Sequence, residues 1–388
     1  MTDTLKTQYQ PQTVSPPGDT LAETLEELEM SQAELARRMG RPTKTINEIV
    51  QGKAAILPET ALQLENVLGI PASFWMAREM AYRTALARSE RKASAGSHGA
   101  IDWASEFPCR EMAKRGWIRQ LPRKADYVQA LFEFFGVASP QAWEATWSRP
   151  EVAFRRSLTK DGNRYAVAAW LRRGEIEAAA QKTGRYDEKA FRAALRRCRE
   201  LTREEPETFC PSLQETCATA GVAVLFVPEL PGARVSGASR WLTPHRALIQ
   251  LSLRFKTDDQ LWFSFFHEAG HILLHTKRGI FIDDGTSTST QEKEANAFAS
   301  SILIPDEGFE RFSTTRPFSA ETVLAFAEEQ RIAPGIVVGR LQHERLIPYT
   351  HLNGLKRTLA YGEGRLVGPS GLEPLTSTVS RWRSNQLS

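Results

Sequence analysis

The sequence is poor in the residues that staple or anchor a chain. Its four cysteines, Cys109, Cys198, Cys210 and Cys217, are scattered over 388 residues and form no C-x-x-C pair. That excludes a disulfide framework and a cysteine zinc site, and fits free thiols in a reducing cytosol. No apolar run reaches about 18 residues, and the start "MTDTLKTQYQPQTVSPPGDT" is polar. Membrane insertion and secretion are therefore not expected, and the protein is read as cytoplasmic. Charge of one sign is scarce too: the net charge of +4 is too small to indicate nucleic-acid binding unless the basic residues cluster. What is there describes a globular protein, 41% hydrophobic and 25% charged, long enough for two or three domains.

Residues 1–18 and 361–388 lack apolar periodicity and are expected to be disordered; deleting 363–388 should then change neither DNA nor zinc binding. Residues 19–88 read as a succession of short helices. Ser31, Thr43 and Pro58 stand at helix starts, and Gly40, Gly52 and Gly69 at stops. Leu35, Met39, Ile46, Ile49, Leu62, Leu64 and Leu68 recur at helical spacing and should share one small core. The stretch "SERKASAGSHGA" (89–100) reads as a linker, 101–205 as a helical middle region, and 206–360 as a last domain. That domain opens with the β-rich runs "GVAVLFVPEL" and "RALIQLSLRF", so the fold class is mainly α with a small β-sheet, α+β.

"SQAELARRMG", a turn at "RP", and "TKTINEIVQGK" make a helix-turn-helix. In that geometry the second helix enters the major groove and presents Thr43, Lys44, Thr45, Asn47 and Glu48, polar groups and a cation suited to base edges and phosphates. Ser31 and Gln32 open the preceding helix, where backbone N–H groups suit a phosphate. Arg37, Arg38, Arg41, Lys44 and Lys53 face a single acid, Glu48, within this span, so the basic face is local. A small bundle with surface charge is the competing reading. Residues 20–85 resemble the phage-repressor (Cro/C1-like, XRE) helix-turn-helix in its HigA antitoxin variety. The resemblance implies a five-helix lambda-repressor-like domain, a homodimer, and double-stranded operator DNA as partner.

The stretch "FFHEAGHILLH" (265–275) carries the second motif. His267 and His271 are four residues apart, about 6 Å along a helix and on one face, so both imidazoles can reach one ion. Glu268 stands beside that face, placed to take a proton from an attacking water and pass it to a leaving amine. A buried helix carrying satisfied core histidines is the rival reading, but "LWFSFF" just before the motif would make uncompensated polar groups costly. A third ligand is needed. Lys277 stands where a metzincin would have its third histidine, whereas "STQEKEANAFASSILIP" offers Glu292, with Asn296 four residues on and able to hydrogen-bond a ligating histidine. Glu294 points about 200° away, and His275 is too far along the helix to join both other histidines at one ion.

"HEAGHILLH" followed by "EKEANAFASSILIP" resembles the ImmA/IrrE metallopeptidase family over about 210–345. The resemblance implies a zincin-like, gluzincin-type fold with Zn2+ on His267, His271 and Glu292 and Glu268 as general base, cleaving a protein regulator. Two readings follow: a DNA-binding transcriptional regulator whose zinc-dependent endopeptidase domain cleaves a partner regulator or itself, and a non-proteolytic antitoxin-like repressor in which the zincin fold senses or binds a partner such as a toxin. His245, His343, Tyr349 and His351 are the candidates for stabilising an oxyanion. The strand "RALIQLSL" is the candidate edge for an extended peptide.

Overall fold

The structure, a computed structural model, describes residues 15–95, 98–147, 163–275, 280–283, 289–362 and 365–368. It divides into two compact units between residues 101 and 102.

The first unit is built from α1 (Pro17–Glu27), α2 (Gln32–Met39), α3 (Thr43–Val50), α4 (Pro58–Leu68) and α5 (Ala72–Ala95). Proline opens α1 and α4, where a missing N–H costs no helical bond. Ser31 caps α2 by accepting the Glu34 N–H, and Gly40 and Gly69 end α2 and α4 in left-handed conformations. Leu21, Leu35, Ile46, Ile49, Leu64 and Trp75 fill the core. Leu62, expected inside, is 56% exposed: Ala61 and Leu64, three residues apart, hold the inward face of α4, and Leu62 lies about 100° from Ala61. The expected linker is also different, since α5 continues to Ala95 and the next helix starts at His98. "SERKASA" contains helix formers and neither glycine nor proline, so the missing apolar stripe marks a helix without a buried face in its sequence rather than a break.

The second unit contains α6 (His98–Ser105, which straddles the division), α7 (Cys109–Lys114), α8 (Lys124–Phe135), α9 (Pro140–Trp147), α10 (Arg164–Ala180), α11 (Glu188–Glu200) and α12 (Pro206–Thr219) ahead of the sheet. Strands β1 (Val222–Phe226), β2 (Gly237–Thr243) and β3 (Arg246–Leu251) are followed by α13 (Asp258–Leu274) and β4 (Ile280–Asp283). Helices α14 (Thr290–Leu303), α15 (Asp306–Ser313), α16 (Ala320–Gln330) and α17 (Pro334–His343) complete the helical part. A hairpin of β5 (Ala360–Gly362) and β6 (Arg365–Val367) closes it.

The sheet runs β1-β3-β2-β4, with β1 parallel to β3 and the other pairs antiparallel. This corrects the expectation for "RALIQLSL": β3 pairs on both sides, so no peptide can add to it, and the strand at the outer edge beside α13 is β4. Both faces of β3 are covered. Ile249 and Leu251 pack into the core with Trp262 and Phe265 of α13, while the Gln250 amide on the opposite face donates to the Trp170 carbonyl of α10 at 2.7 Å. Gly174 makes room for that glutamine, because a Cβ there would lie 1.8 Å from Gln250 Oε1.

The division expected at 205/206 does not appear in the packing. Phe191, Leu195 and Cys198 of α11 belong to the same core as the sheet and α13. The last-segment expectation also changes. Residues 361–362 and 365–367 form strands, Leu366 is 3% exposed within that core, and the Gly368 N–H donates to Glu207; residues 369–388 lie outside the described residues. Leu366→Ala is accordingly expected to lower stability by about 2–4 kcal/mol, read as the shift of the urea midpoint at unchanged slope.

Candidate metal centre and helix-turn-helix

Helix α13 is anchored at its start by two buried carboxylates. Asp258 Oδ1 accepts the N–H groups of Asp259 at 2.9 Å and Arg357 at 3.0 Å. Lys356 Nζ donates to Asp259 Oδ2 and to Gln342 Oε1, both at 2.7 Å. Glycines on α17 allow this approach: a Cβ at Gly335 or Gly339 would lie 2.5 Å from Asp258 Oδ1 or 2.6 Å from Asp259 Oδ2. Burial, with the charge of Asp259 beside it, raises the Asp258 carboxyl to about 6. A raised acid favours the fold when protonated, so its contribution is full below the unfolded value near 3.9 and is lost as pH rises through about 6. Asp258→Asn should therefore be more stable than wild type at pH 7, by up to about 3 kcal/mol, and the gain should vanish near pH 4 in paired urea titrations.

About two and a half turns into α13, His267 and His271 project from the same face, and Glu292 meets them from α14, whose N-cap Ser289 accepts the Glu292 N–H. The potential ligand atoms of these three residues all lie within 4.8 Å of one another. Glu292 Oε2 is 3.1 Å from His267 Nε2, Glu292 Oε1 is 3.5 Å from His271 Nε2, and the two Nε2 atoms are 3.0 Å apart. Gly270 lets the helices close, since a Cβ there would lie 3.2 Å from Ala295 Cα.

The outward nitrogens are held by other side chains. His267 Nδ1 donates to Asn296 Oδ1 at 2.9 Å. Beyond His271 runs a relay that spacing alone did not reveal. Glu294 Oε2 lies 3.0 Å from His275 Nε2, and His275 Nδ1 lies 2.9 Å from His271 Nδ1. A carboxylate only accepts, so a neutral His275 donates at Nε2 and accepts at Nδ1, which makes His271 Nδ1 a donor. Both Nε2 atoms are then directed inward, toward a carboxylate. Phe281 of β4 stacks on His271, with centroids 4.3 Å apart and planes at 13°.

This donor set calls for a cation. For His267, burial lowers the pKa but is outweighed by the Glu292 hydrogen bond and by the charges of Glu268, Asp283 and Glu292, which lift it to about 9. His271 moves down, chiefly through burial. Burial would raise Glu292, yet its hydrogen bonds to His267 and His271 hold it at about 2. Two imidazoles and one ionised carboxylate converging in a partly buried spot fit the three-ligand pattern of a zinc centre with an open position.

Glu268 is fully buried; neither carboxylate oxygen makes a hydrogen bond of ordinary geometry among the described residues, and the Ser239 hydroxyl of β2 lies near enough to lower its pKa. Burial raises it to about 8 against the opposing charge of His267. Gly237 of β2 sits directly against it: a Cβ would lie 2.9 Å from Glu268 Cγ and Oε1. A glycine inside a strand is the available sequence signal for such close approach. A cleft of about 790 Å³ opens onto His267, Glu292 and Asn296, and His343, Tyr349 and Lys356 also line it. Of the four oxyanion candidates, only His343 and Tyr349 are on this cleft. His245 contacts Arg185, and the His351 carbonyl accepts from Gln342.

In the first unit, Thr43, Lys44, Asn47 and Lys53 are exposed and Thr45 is half-buried, while Ile46 and Ile49 turn inward. Ser31 is exposed with its hydroxyl engaged in the α2 cap, and Gln32 is half-buried. The basic face is less isolated than the local count suggests. Arg37 and Arg38 pair with Glu34, Arg41 with Glu59, and Lys44 lies 3.8 Å from Glu48.

A helix-turn-helix in one unit and a histidine–glutamate cluster in the other define a regulator of the helix-turn-helix class joined to a domain of metallopeptidase type. Residues 21–75 match the family described as "Helix-turn-helix", and residues 219–341 match the peptidase family M78 "IrrE N-terminal-like domain". The chain belongs to the helix-turn-helix transcriptional regulators of the XRE type and carries an IrrE/ImmA-like peptidase-family domain behind that module. It is 37% identical over 75 residues to "Uncharacterized HTH-type transcriptional regulator YddM" of Escherichia coli K12, covering 19% of this chain and 78% of that one. Among solved structures, an addiction module antidote protein of the HigA family from Coxiella burnetii is 33% identical, over 20% of this chain and 85% of that chain, with a TM-score of 0.20. "Pseudomonas aeruginosa antitoxin HigA with higBA promoter" is 29% identical, over 22% and 92%, with a TM-score of 0.21. No described helix is long and apolar enough to cross a membrane.

Proposed function

We propose that this regulator binds operator DNA as a homodimer through α3 and that its second unit is a zinc-dependent endopeptidase acting on a protein regulator or on the chain itself. The observation that carries the reading is the pair of inward Nε2 atoms, oriented by Asn296 and His275, meeting Glu292 next to the buried Glu268.

When bound, zinc supplies Lewis acidity to the scissile carbonyl and to water. His267, His271 and Glu292 would hold the ion; Asn296 and the His275–Glu294 pair fix the two rings. Glu268 accepts the proton of the attacking water and delivers it to the leaving amine. The cleft walls keep the extended peptide against the site, and the outer edge of β4 offers backbone groups for pairing. His343 and Tyr349 are the groups placed to donate to the developing oxyanion.

The test incubates the full chain with the products of neighbouring genes and looks for fragments by mass spectrometry, with and without a zinc chelator. Chelator-sensitive fragments support the reading. Stoichiometric zinc with no fragment from any partner or from the chain would favour the non-proteolytic interaction module instead.

On the DNA side, Asn47→Ala is expected to weaken operator binding by about 1–3 kcal/mol and relax preference at one base pair. Lys44→Ala should weaken operator and random DNA alike and reduce the salt slope by about 1. Titration of both duplexes at several salt concentrations separates the two effects.

A further inference from the structure

Beside the cleft lies a second, smaller cavity of about 130 Å³ between α13, α14 and α17. Gln260, Phe263 and His343 line both spaces. Phe263 is one turn before His267 on α13, and the two rings stack with centroids 6.2 Å apart. The cavity therefore sits one helical turn from the proposed metal position, opening beside it.

Its walls are Phe263, Leu303, Ile304 and Ile336, apolar, and its size suits one ring, comparable to the roughly 150 Å³ that admits benzene. Five polar side chains, Asp259, Gln260, Ser300, Arg340 and His343, interrupt the apolar lining, and two of them carry unpartnered atoms. Arg340 Nη1 and Asp259 Oδ1 are buried and have no hydrogen-bond partner among the described residues. Their charges are nevertheless already balanced. Asp259 pairs with Lys356 through its other oxygen, and Arg340 Nε lies 3.0 Å from Glu344. A ligand carboxylate would meet Asp259, and a ligand cation would meet Arg340. A neutral hydroxyl can accept from a guanidinium and donate to a carboxylate, so it is the one group that suits both.

The geometry points to a specificity pocket for a phenol, carried by a tyrosine side chain of the bound peptide. The assignment rests on the peptidase reading for the peptide, but the pocket itself does not need cleavage to be tested. Phenylalanine would fill the same volume and leave both buried polar atoms unpaired, so the hydroxyl is what the site selects.

The probe is p-cresol, compared with toluene, titrated into the full-length chain by ligand-detected NMR. Saturable p-cresol binding is expected, at least about 10-fold tighter than toluene. Arg340→Met should bring the two ligands to similar affinity, and Ser300→Phe, at the half-buried rim, should block both. Circular dichroism checks that each variant is folded; should Arg340→Met unfold, the wild-type ratio and Ser300→Phe decide. No saturable binding, equal affinities in wild type, or an unchanged ratio in folded Arg340→Met would overturn the pocket. In a peptide-mixture digest, tyrosine should be enriched at one position flanking the cut. Cleavage without that enrichment overturns the tyrosine assignment and leaves the peptidase reading intact. Binding of p-cresol with no peptide cut supports the pocket and overturns the peptidase reading.

Discussion

Glu268→Gln is expected to leave about one zinc per chain and unchanged operator affinity while cutting proteolysis by about 10²–10⁴-fold, or roughly 3–5 kcal/mol in the barrier. The amide keeps the shape of the side chain, which matters because Gly237 leaves it no spare room. It cannot take the proton of the attacking water. Retained metal is the control, since Glu268 does not belong to the converging ligand set. The carboxylate is costly to keep where it is, fully buried with no hydrogen bond of ordinary geometry to either oxygen among the described residues, so the variant should also unfold at a higher urea concentration than wild type when both are compared without metal. Wild-type cleavage rates in the variant would contradict the assignment, whatever the stability shows.

The second large effect is expected at the ligands. His271→Ala removes one of three donor residues and leaves Glu292 and His267 facing a gap. Bound zinc should fall from about one to below about 0.1 per chain after dialysis. Cleavage should fall with it, and DNA binding by the first unit should not. His275→Ala gives a graded comparison: His271 keeps its place but loses its orienting partner, so zinc affinity should drop about 10–100-fold rather than vanish. Competition against a chromophoric chelator resolves the two cases.

The parts of the site legible in the sequence are those set by the helical repeat. His267 with His271, and Glu292 with Asn296, are four residues apart on helices whose apolar positions and cap residues are visible in the string. The helix-turn-helix was legible for the same reason, with Ser31, Gly40 and Gly69 marking its joints. Contacts across elements were not. Nothing local indicates that Glu294, turned away from the metal face, reaches His275, or that Gly237 comes against Glu268 from a strand 31 positions earlier. The sheet order was hidden because β3, covered on both faces, has the apolar texture of any buried strand. The strand pair β5 and β6 is not legible because each strand is three residues long and offers little apolar pattern, with Leu366 buried in the core and Tyr361 packed against it. The end of α5 shows the converse: a helix can run on where the apolar stripe stops.

The most direct test of the account is zinc K-edge X-ray absorption on the full chain after dialysis, with the metal content measured on the same sample. The account predicts about one zinc per chain in a nitrogen and oxygen shell at about 2.0–2.1 Å, with two imidazoles and no sulfur. The signal of these ligands should be lost in His271→Ala and kept in Glu268→Gln. Absence of stoichiometric zinc, or a sulfur scatterer at about 2.3 Å, would contradict it.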